Sequence, residues 1–516
     1  MNMRGMLETA VSRVPEKVLV QYGLQRITYK EFDSQVNRAA NALINMGISK
    51  GDRVCMYLPN CLEFLYAWFG ILKIGAILVP INNAFKKREA QYIINHSEPK
   101  AIISDNTRIE TIKAIQQETG FPNTMLSIDS DAEGGIMGLI GKMNKASDTL
   151  QPTVLNDDDI AMILYTSGTT GYPKGCMLSQ DYYRWIGYRG VDGFELDQES
   201  RTLVNMPLFH IAAQLFFVQN LLVDGSVVLV DSYKPNEFWD QVHQFEINNT
   251  FMTGAMAIAL ERTPSHPLEA KHNLRCCVGA QVPVNTQKVF IKRFNWELRE
   301  CYGSTECGMA LIANSATPRK PRAIGVPSRG VEVRLFDEND REVPINTPGE
   351  IVIRGSGIMS GYYKNETATA QAMRGGWFHT GDLSKKDEEG NFYYVDRAKD
   401  SIRRSAENIA SVEIEDLLNA HPKVLEATVL GVPDELRGQE IMAYIISKQG
   451  QSLTPQEIVS YCKDNLAFFK VPRYIKFVNE LPKTITGRIQ KFKLGLKDIG
   501  EDCFDRQAEK QRLENK

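Results

Sequence analysis

Apolar positions spaced three and four residues apart open the pattern of the chain. Phe32, Val36, Ala39 and Leu43 fall on one helical face. That helix starts at a capping box of Thr28 and Glu31 and stops before Gly47, where a left-handed glycine closes a helix. Lys50-Gly51-Asp52 makes a turn, and a strand is predicted over 53–58, a helix over 62–73 and a strand over 76–79. Near-continuous apolar strands alternating with helices predict a parallel sheet covered on both faces. The longest apolar stretch, 67–81, is about 15 residues against the roughly 20 that span a bilayer, so it predicts a core helix passing into a strand and no transmembrane segment. Lys73 interrupts it.

Further strands are predicted over 160–164, 227–230 and 350–354. The pattern changes near 396–399. Beyond it a small α/β unit is predicted, with helices over 412–418 and 455–466 and strands over 426–430, 441–446 and 474–478. Residues 501–516 are highly charged and predict a frayed terminal helix.

Composition narrows the function classes. Across 516 residues, 43% hydrophobic and 24% charged content is that of a globular protein and excludes general disorder and fibrous repeats. Lys and Arg number 60 against 63 Asp and Glu, so no basic excess points to nucleic acid or an anionic membrane. Nine cysteines without a CxxC pair argue against a disulfide framework or zinc site and for a reducing cytoplasm. Residues 1–17 carry Glu8 and Glu16 and lack the apolar core of a signal peptide.

Four islands carry candidate chemistry. Tyr165-Thr166-Ser167-Gly168-Thr169-Thr170-Gly171-Tyr172-Pro173-Lys174-Gly175 follows a predicted strand. Its glycines permit sharp turns and close approach, its hydroxyls and amides can donate to anionic oxygens, and Lys174 adds a charge, a combination that suits a polyphosphate. It is not a Walker A loop. The alternative is a plain polar surface loop. Pro207-Leu208-Phe209-His210 sets a histidine beside apolar residues, as packing or as a functional group. Tyr302-Gly303-Ser304-Thr305-Glu306 joins an aromatic face, two hydroxyls and a carboxylate, able to stack a base, touch a phosphate and hold Mg²⁺, or else forms a strand-to-turn junction. Trp377-Phe378-His379-Thr380-Gly381-Asp382 presents an acid after a predicted tight turn, suited to paired ribose hydroxyls or to capping the turn itself.

In order along the chain, these islands, the Asp396-Arg397-Ala398-Lys399-Asp400 junction and Pro482-Lys483-Thr484 resemble the adenylate-forming superfamily of acyl-CoA synthetases, adenylation domains and luciferases, from about residue 19 to 494. Residues 68–82, Glu407-Asn408-Ile409 with Val412-Glu413-Ile414-Glu415, and 468–474 are most similar to the crotonobetaine/carnitine–CoA ligase type. The resemblance implies an α/β fold: a large multi-sheet N-terminal adenylation domain, 1–398, and a small mobile C-terminal α/β domain, 399–516. It implies ATP and Mg²⁺ as cofactors and coenzyme A as co-substrate. Thr166, Ser167, Gly168, Thr169, Thr170, Gly171 and Lys174 would grip the β- and γ-phosphates. Tyr302 would stack on adenine with Gly279 and Ala280, while Gly303, Ser304 and Thr305 lie along the nucleotide, Thr305 at the α-phosphate. Glu306 would ligate Mg²⁺, Asp382 and Arg397 would hold the ribose, and His210 would line the junction of the acyl and pyrophosphate sites. Lys399 is the hinge, and Arg403, Ser405 and Ala406 belong to the turn that approaches CoA.

Two positions depart from the family pattern. Arg488 follows Gly487 where the family has a catalytic lysine, and Lys491 is the next lysine downstream. Ser405 and Ala406 stand where the CoA turn ends in glycine. The expected activity is ligation of a small carboxylic acid to CoA through an acyl-adenylate. The alternatives are a carrier-protein acceptor or a catalytically impaired binding relative. Phe209, Phe216, Phe217 and Met309 line an apolar acyl slot, form an aromatic site for a quaternary ammonium, or belong to the core. The sequence does not specify the acid or the oligomeric state.

Overall fold

A computed structural model of the protein describes residues 1–129, 136–166, 173–275, 277–280, 282, 284–313, 320, 323–397, 401–405, 407–482, 489, 491, 494–495, 499–500 and 502–514. The predicted capping box is formed. Thr28 accepts from the Glu31 amide, and the Glu31 carboxylate accepts from the Thr28 amide at 2.8 Å. The helix Tyr29–Asn45 buries Phe32, Val36, Ala39 and Leu43, and Gly47 beyond its cap takes φ +82°. The strand Arg53–Tyr57 runs parallel to Ile77–Pro80 on one side and to Ala101–Ser104 on the other. The helix Leu62–Lys73 is buried nearly all round, which is why its sequence is apolar without a polar stripe. Lys73 is buried with it. Its Nζ lies 2.5 Å from Asp33 Oδ1 and 2.9 Å from Asn37 Oδ1, both on the helix Tyr29–Asn45.

The chain divides into two compact units. The large one comprises residues 1–83, 93–165 and 175–396. The small one comprises 84–92, 166–174 and 397–516. The large unit contains an eight-stranded sheet, built around the parallel strands just described, and a thirteen-stranded mixed sheet. The sequence pattern missed how the larger sheet recruits the N-terminus. Val18–Tyr22 pairs antiparallel with its neighbour Gln25–Thr28 and in parallel with Ser226–Leu229, a contact some 200 residues away that no local periodicity encodes. In the same sheet Leu298–Ser304 is followed in spatial order by Gly308–Ile312, Ala323–Pro327, Phe392–Arg397 and Phe378–Lys386.

The small unit is a six-stranded sheet with its own core around Ile402, Ile414, Val429, Ile445 and Ile458. Its predicted helices form as Ser411–Asn419 and Pro455–Asn465, and its long hairpin pairs Val424–Asp434 with Gly438–Ser447. The charged end contributes the helix Arg506–Glu514. No helix among the described residues is long and apolar enough to cross a membrane.

Candidate active site

The strand Leu298–Ser304 ends by delivering the Tyr302–Glu306 island into a turn, and Gly308, at φ +60°, starts the returning strand Gly308–Ile312. Tyr302 is buried, and its hydroxyl donates to Asp382 Oδ2 at 2.7 Å. Burial, and then the Asp382 charge, raise the Tyr302 pKa well above that of a free phenol, so it stays a donor at neutral pH. The Tyr394 hydroxyl reaches Asp382 Oδ1 at 3.5 Å. Two islands 80 residues apart therefore meet in one hydrogen-bonded pair.

The position of Asp382 corrects the sequence reading. Residues 378–386 form one continuous strand, not a turn. Gly381, at φ +74°, lets that strand bulge where its register with Gly349–Gly355 shifts, and the bulge aims the next side chain inward. Glu350 fixes the bulge from the neighbouring strand, accepting from the Gly381 amide at 2.8 Å and contacting His379 Nδ1 at 2.9 Å. The Asp382 carboxylate thus meets tyrosine hydroxyls across the sheet, where turn capping was the alternative.

Glu306 is half-buried. The Tyr362 hydroxyl donates to its Oε1 at 3.2 Å, and its main-chain oxygen accepts from the Met359 amide at 2.7 Å. Burial and the Glu306 charge together raise the Tyr362 pKa, so this phenol also stays protonated. Thr305 accepts at its carbonyl from the Tyr182 hydroxyl, 2.8 Å away. Tyr182, Tyr362 and Tyr394 gave no signal in the sequence, because each reads there as an ordinary aromatic of a helix or strand. Arg189, seven residues after Tyr182 on the helix Gln180–Phe194, was missed for the same reason.

His210 caps the helix Ile211–Leu222, beside Phe209 with ring centroids 4.7 Å apart. The loop before it is pinned by Asn60, whose side chain donates to the Met206 and Val230 carbonyls and accepts from the Leu208 amide. Phe209, Phe216, Phe217 and Met309 are buried, and Phe216 and Phe217 pack on Phe194 and Trp68 respectively. Gly279 and Ala280 end the strand Cys277–Ala280. A Cβ on Gly279 would stand 2.8 Å from Val282 Cγ2 and 3.0 Å from the Met252 carbonyl oxygen. Thr166 ends the strand Ile160–Thr166, Lys174 begins Lys174–Ser179, and Arg397 ends Phe392–Arg397. Ser167, Gly168, Thr169, Thr170, Gly171, Lys399, Ala406 and Arg488 lie outside the described residues.

In the small unit, Arg404 opposes Glu407 across an antiparallel pair of strands, and Ser405 follows Arg404 at the end of the first. Ser405 takes φ +60°, the conformation the family's glycine would adopt without cost. A side chain there costs about 1–2 kcal/mol. The neighbours hold it: the Ser405 amide donates to the Arg437 carbonyl at 2.7 Å, and the Arg403 amide to Gln439 Oε1 at 2.6 Å. Lys491 is committed elsewhere. Its Nζ lies 2.7 Å from Ser411 Oγ, 2.9 Å from the Val429 carbonyl and 2.8 Å from Glu415 Oε1. That network ties helix to sheet.

Residues 7–363 match the AMP-binding enzyme family, and residues 413–488 match the AMP-binding enzyme C-terminal domain. The chain belongs to the AMP-binding enzyme family. Among curated proteins it is 33% identical to the crotonobetaine/carnitine–CoA ligases of Salmonella paratyphi B and Proteus mirabilis, over 91% of this chain and 93% of theirs. Among solved structures, ATP-bound MatB from Rhodopseudomonas palustris is 27% identical with a TM-score of 0.72, covering 96% of this chain and 98% of that one. As a member of this family the chain is an AMP-forming acid–thiol ligase that uses ATP, Mg²⁺ and coenzyme A.

The residues present fit these groups. The Asp382 carboxylate, reached by two phenols, is an acceptor of the kind that ribose hydroxyls require. Mg²⁺ in phosphate-transfer sites commonly takes one or two carboxylates and fills its remaining positions with water and phosphate, so the single half-buried carboxylate of Glu306 suffices.

Proposed function

We propose that the chain activates a small carboxylic acid as its acyl-adenylate and passes the acyl group to coenzyme A, with chemistry divided between domains 1–398 and 399–516. The observation that carries this reading is the buried Tyr302–Asp382 pair one short turn from Glu306. Asp382, with Arg397, binds the ribose, and Tyr302 supports the adenine with Gly279, Ala280 and Gly303. Thr166 to Gly171, Lys174, Ser304 and Thr305 bind the phosphates. Bound Mg²⁺, held by Glu306, supplies charge neutralisation on the phosphates.

The substrate carboxylate oxygen attacks the α-phosphorus in line, and the bond to pyrophosphate breaks. Arg488 supplies the positive charge that the family draws from lysine, and His210 borders the acid. Its planar guanidinium fits a site shaped for an ammonium less well, so adenylation runs at a reduced rate. Lys399 is the hinge for the second half-reaction, in which the CoA thiolate attacks the acyl carbonyl and AMP leaves. Arg403, Ser405 and Ala406 line the thiol's approach.

The relatives' names make crotonobetaine and carnitine the first acids to test. The test is pyrophosphate release with these two acids and a series of short unsubstituted acids, each with CoA, with a pantetheinylated carrier protein, and with neither. Acid-dependent release and a CoA thioester support the reading. Thioester only on the carrier replaces the acceptor, and no release with any acid overturns the assignment.

A further inference from the structure

Arg189 is fully buried, and the hydrogen bonds of its guanidinium go to main-chain carbonyls. Nε donates to the Arg329 carbonyl at 3.1 Å, one terminal nitrogen to Cys307 at 2.8 Å and Gly357 at 3.4 Å, and the other to Ser356. Burial lowers its pKa, the direction expected when a charge is taken out of water. A residue that costly to bury needs a strict geometric purpose, and its carbonyls belong to three separate loops.

Those loops are moulded on the same helix face. Gly308, Gly330 and Gly357 all have positive φ. A Cβ on Gly308 would lie 2.6 Å from Ile186, and one on Gly330 or Gly357 would lie 2.5 Å from Trp185. One turn of helix on either side, Tyr182 binds the Thr305 carbonyl and Arg189 the Cys307 carbonyl. Glu306 lies between these two anchored residues, and the 356–359 segment that Arg189 also grips donates to Glu306's own carbonyl through Met359.

We propose that Arg189 is the positioning residue that holds the 305–307 turn, and with it the Glu306 carboxylate, in the shape that receives Mg²⁺·ATP. The proposal rests on the reading of Glu306 as the carboxylate for the metal. No other side chain supplies the same fork: lysine keeps the charge but is a point donor on a flexible stem, and methionine keeps the length and loses both.

The test is calorimetric titration of the full-length enzyme with ATP at rising Mg²⁺, and separately with AMP in EDTA, for the wild type, Arg189→Lys, Arg189→Met, Tyr182→Phe and Glu306→Gln. Arg189→Lys is expected to raise the Mg²⁺ needed for ATP binding by about 10–100-fold, the usual effect of removing an outer partner of a metal ligand, with AMP affinity unchanged. Tyr182→Phe, which removes one hydroxyl and leaves the buried charge, must shift the requirement the same way by less, and it carries the test if the Arg189 variants do not fold. Loss of AMP affinity in parallel with ATP affinity marks general damage and overturns the proposal. An unchanged Mg²⁺ requirement in Arg189→Lys and Tyr182→Phe, with a raised one in Glu306→Gln, refutes the positioning role alone. An unchanged requirement in Glu306→Gln removes both that reading and the proposal built on it.

Discussion

The carboxylates of the candidate site keep different company from those that tie the small unit together, although elsewhere the large unit also pairs acids with cations, as at Asp33 with Lys73. In the large unit, phenols hold Asp382 and Glu306: Tyr302 and Tyr394 at the first, Tyr362 at the second. In the small unit, cations hold them: Arg404 and Arg437 at Glu440, Lys491 at Glu415, and Lys470 at both Glu89 and Glu413. A phenol fixes a carboxylate in place and leaves its charge available to a ligand. A cation cancels that charge and spends it on the fold. On the proposed function this difference sets the acids that meet the ligand apart from those that tie the small unit, and sequence cannot show it because the residue type is the same in both.

The sharpest way to break this contrast is to remove a small-unit acid. Glu440 and Arg404 are both buried, with Nε to Oε2 at 2.7 Å, and losing one partner strands the other. Glu440→Gln is expected to destabilise the small unit by about 3–5 kcal/mol, read as a lowered midpoint in urea unfolding. An unchanged midpoint would mean that these pairs do not build the fold. Asp382→Ala should do the opposite: fold stably and weaken AMP and ATP binding by about 1.5–3 kcal/mol, roughly ten- to a hundredfold by calorimetry. Lys491→Met should cost about 1–3 kcal/mol of small-unit stability and leave pyrophosphate release intact. Abolished release in that variant would return Lys491 to the catalytic machinery.

The smallest expected effect is a pH dependence. Lys423 bonds to Glu457, as do the Thr454 amide and hydroxyl at the helix cap, and together they hold the Glu457 carboxyl down at about 2. Its unfolded value is about 4.3, so its contribution is complete above that pH and disappears as pH falls toward the folded value. The wild type should therefore lose melting temperature more steeply than Glu457→Gln across that acid window, and parallel curves would remove the effect. The pair is exposed, so the difference is small.

These outcomes also mark how far the sequence could be read. The Thr28–Glu31 box, the helix Leu62–Lys73 and the small unit's helices were legible because each depends on spacing within a few residues. The pairing of Val18–Tyr22 with Ser226–Leu229 was not, since it follows from the whole sheet. At the site, the acids and glycines stood out. Arg189 and the four tyrosines' partnerships did not, because a hydroxyl's partner is set by tertiary packing. Ser405, singled out in the sequence, has a left-handed backbone that carries the cost of a side chain there.

The bond between Tyr302 and Asp382 has one more consequence, through simple arithmetic on the strand order. Their strands lie four steps apart in the sheet, and four spacings of about 4.8 Å put flat neighbours roughly 19 Å from each other. The hydroxyl and carboxylate are nevertheless 2.7 Å apart. Even allowing for the reach of a tyrosine and an aspartate side chain, this stretch of sheet must curl rather than lie flat, and the side-chain bond ties its first strand to its fifth. On the proposed function, the ribose would meet Asp382 at that tie, where its hydroxyl and the phenol would share one carboxylate. The curl of the sheet and the hold on the ribose would then be coupled, and adjustable at Tyr302 alone.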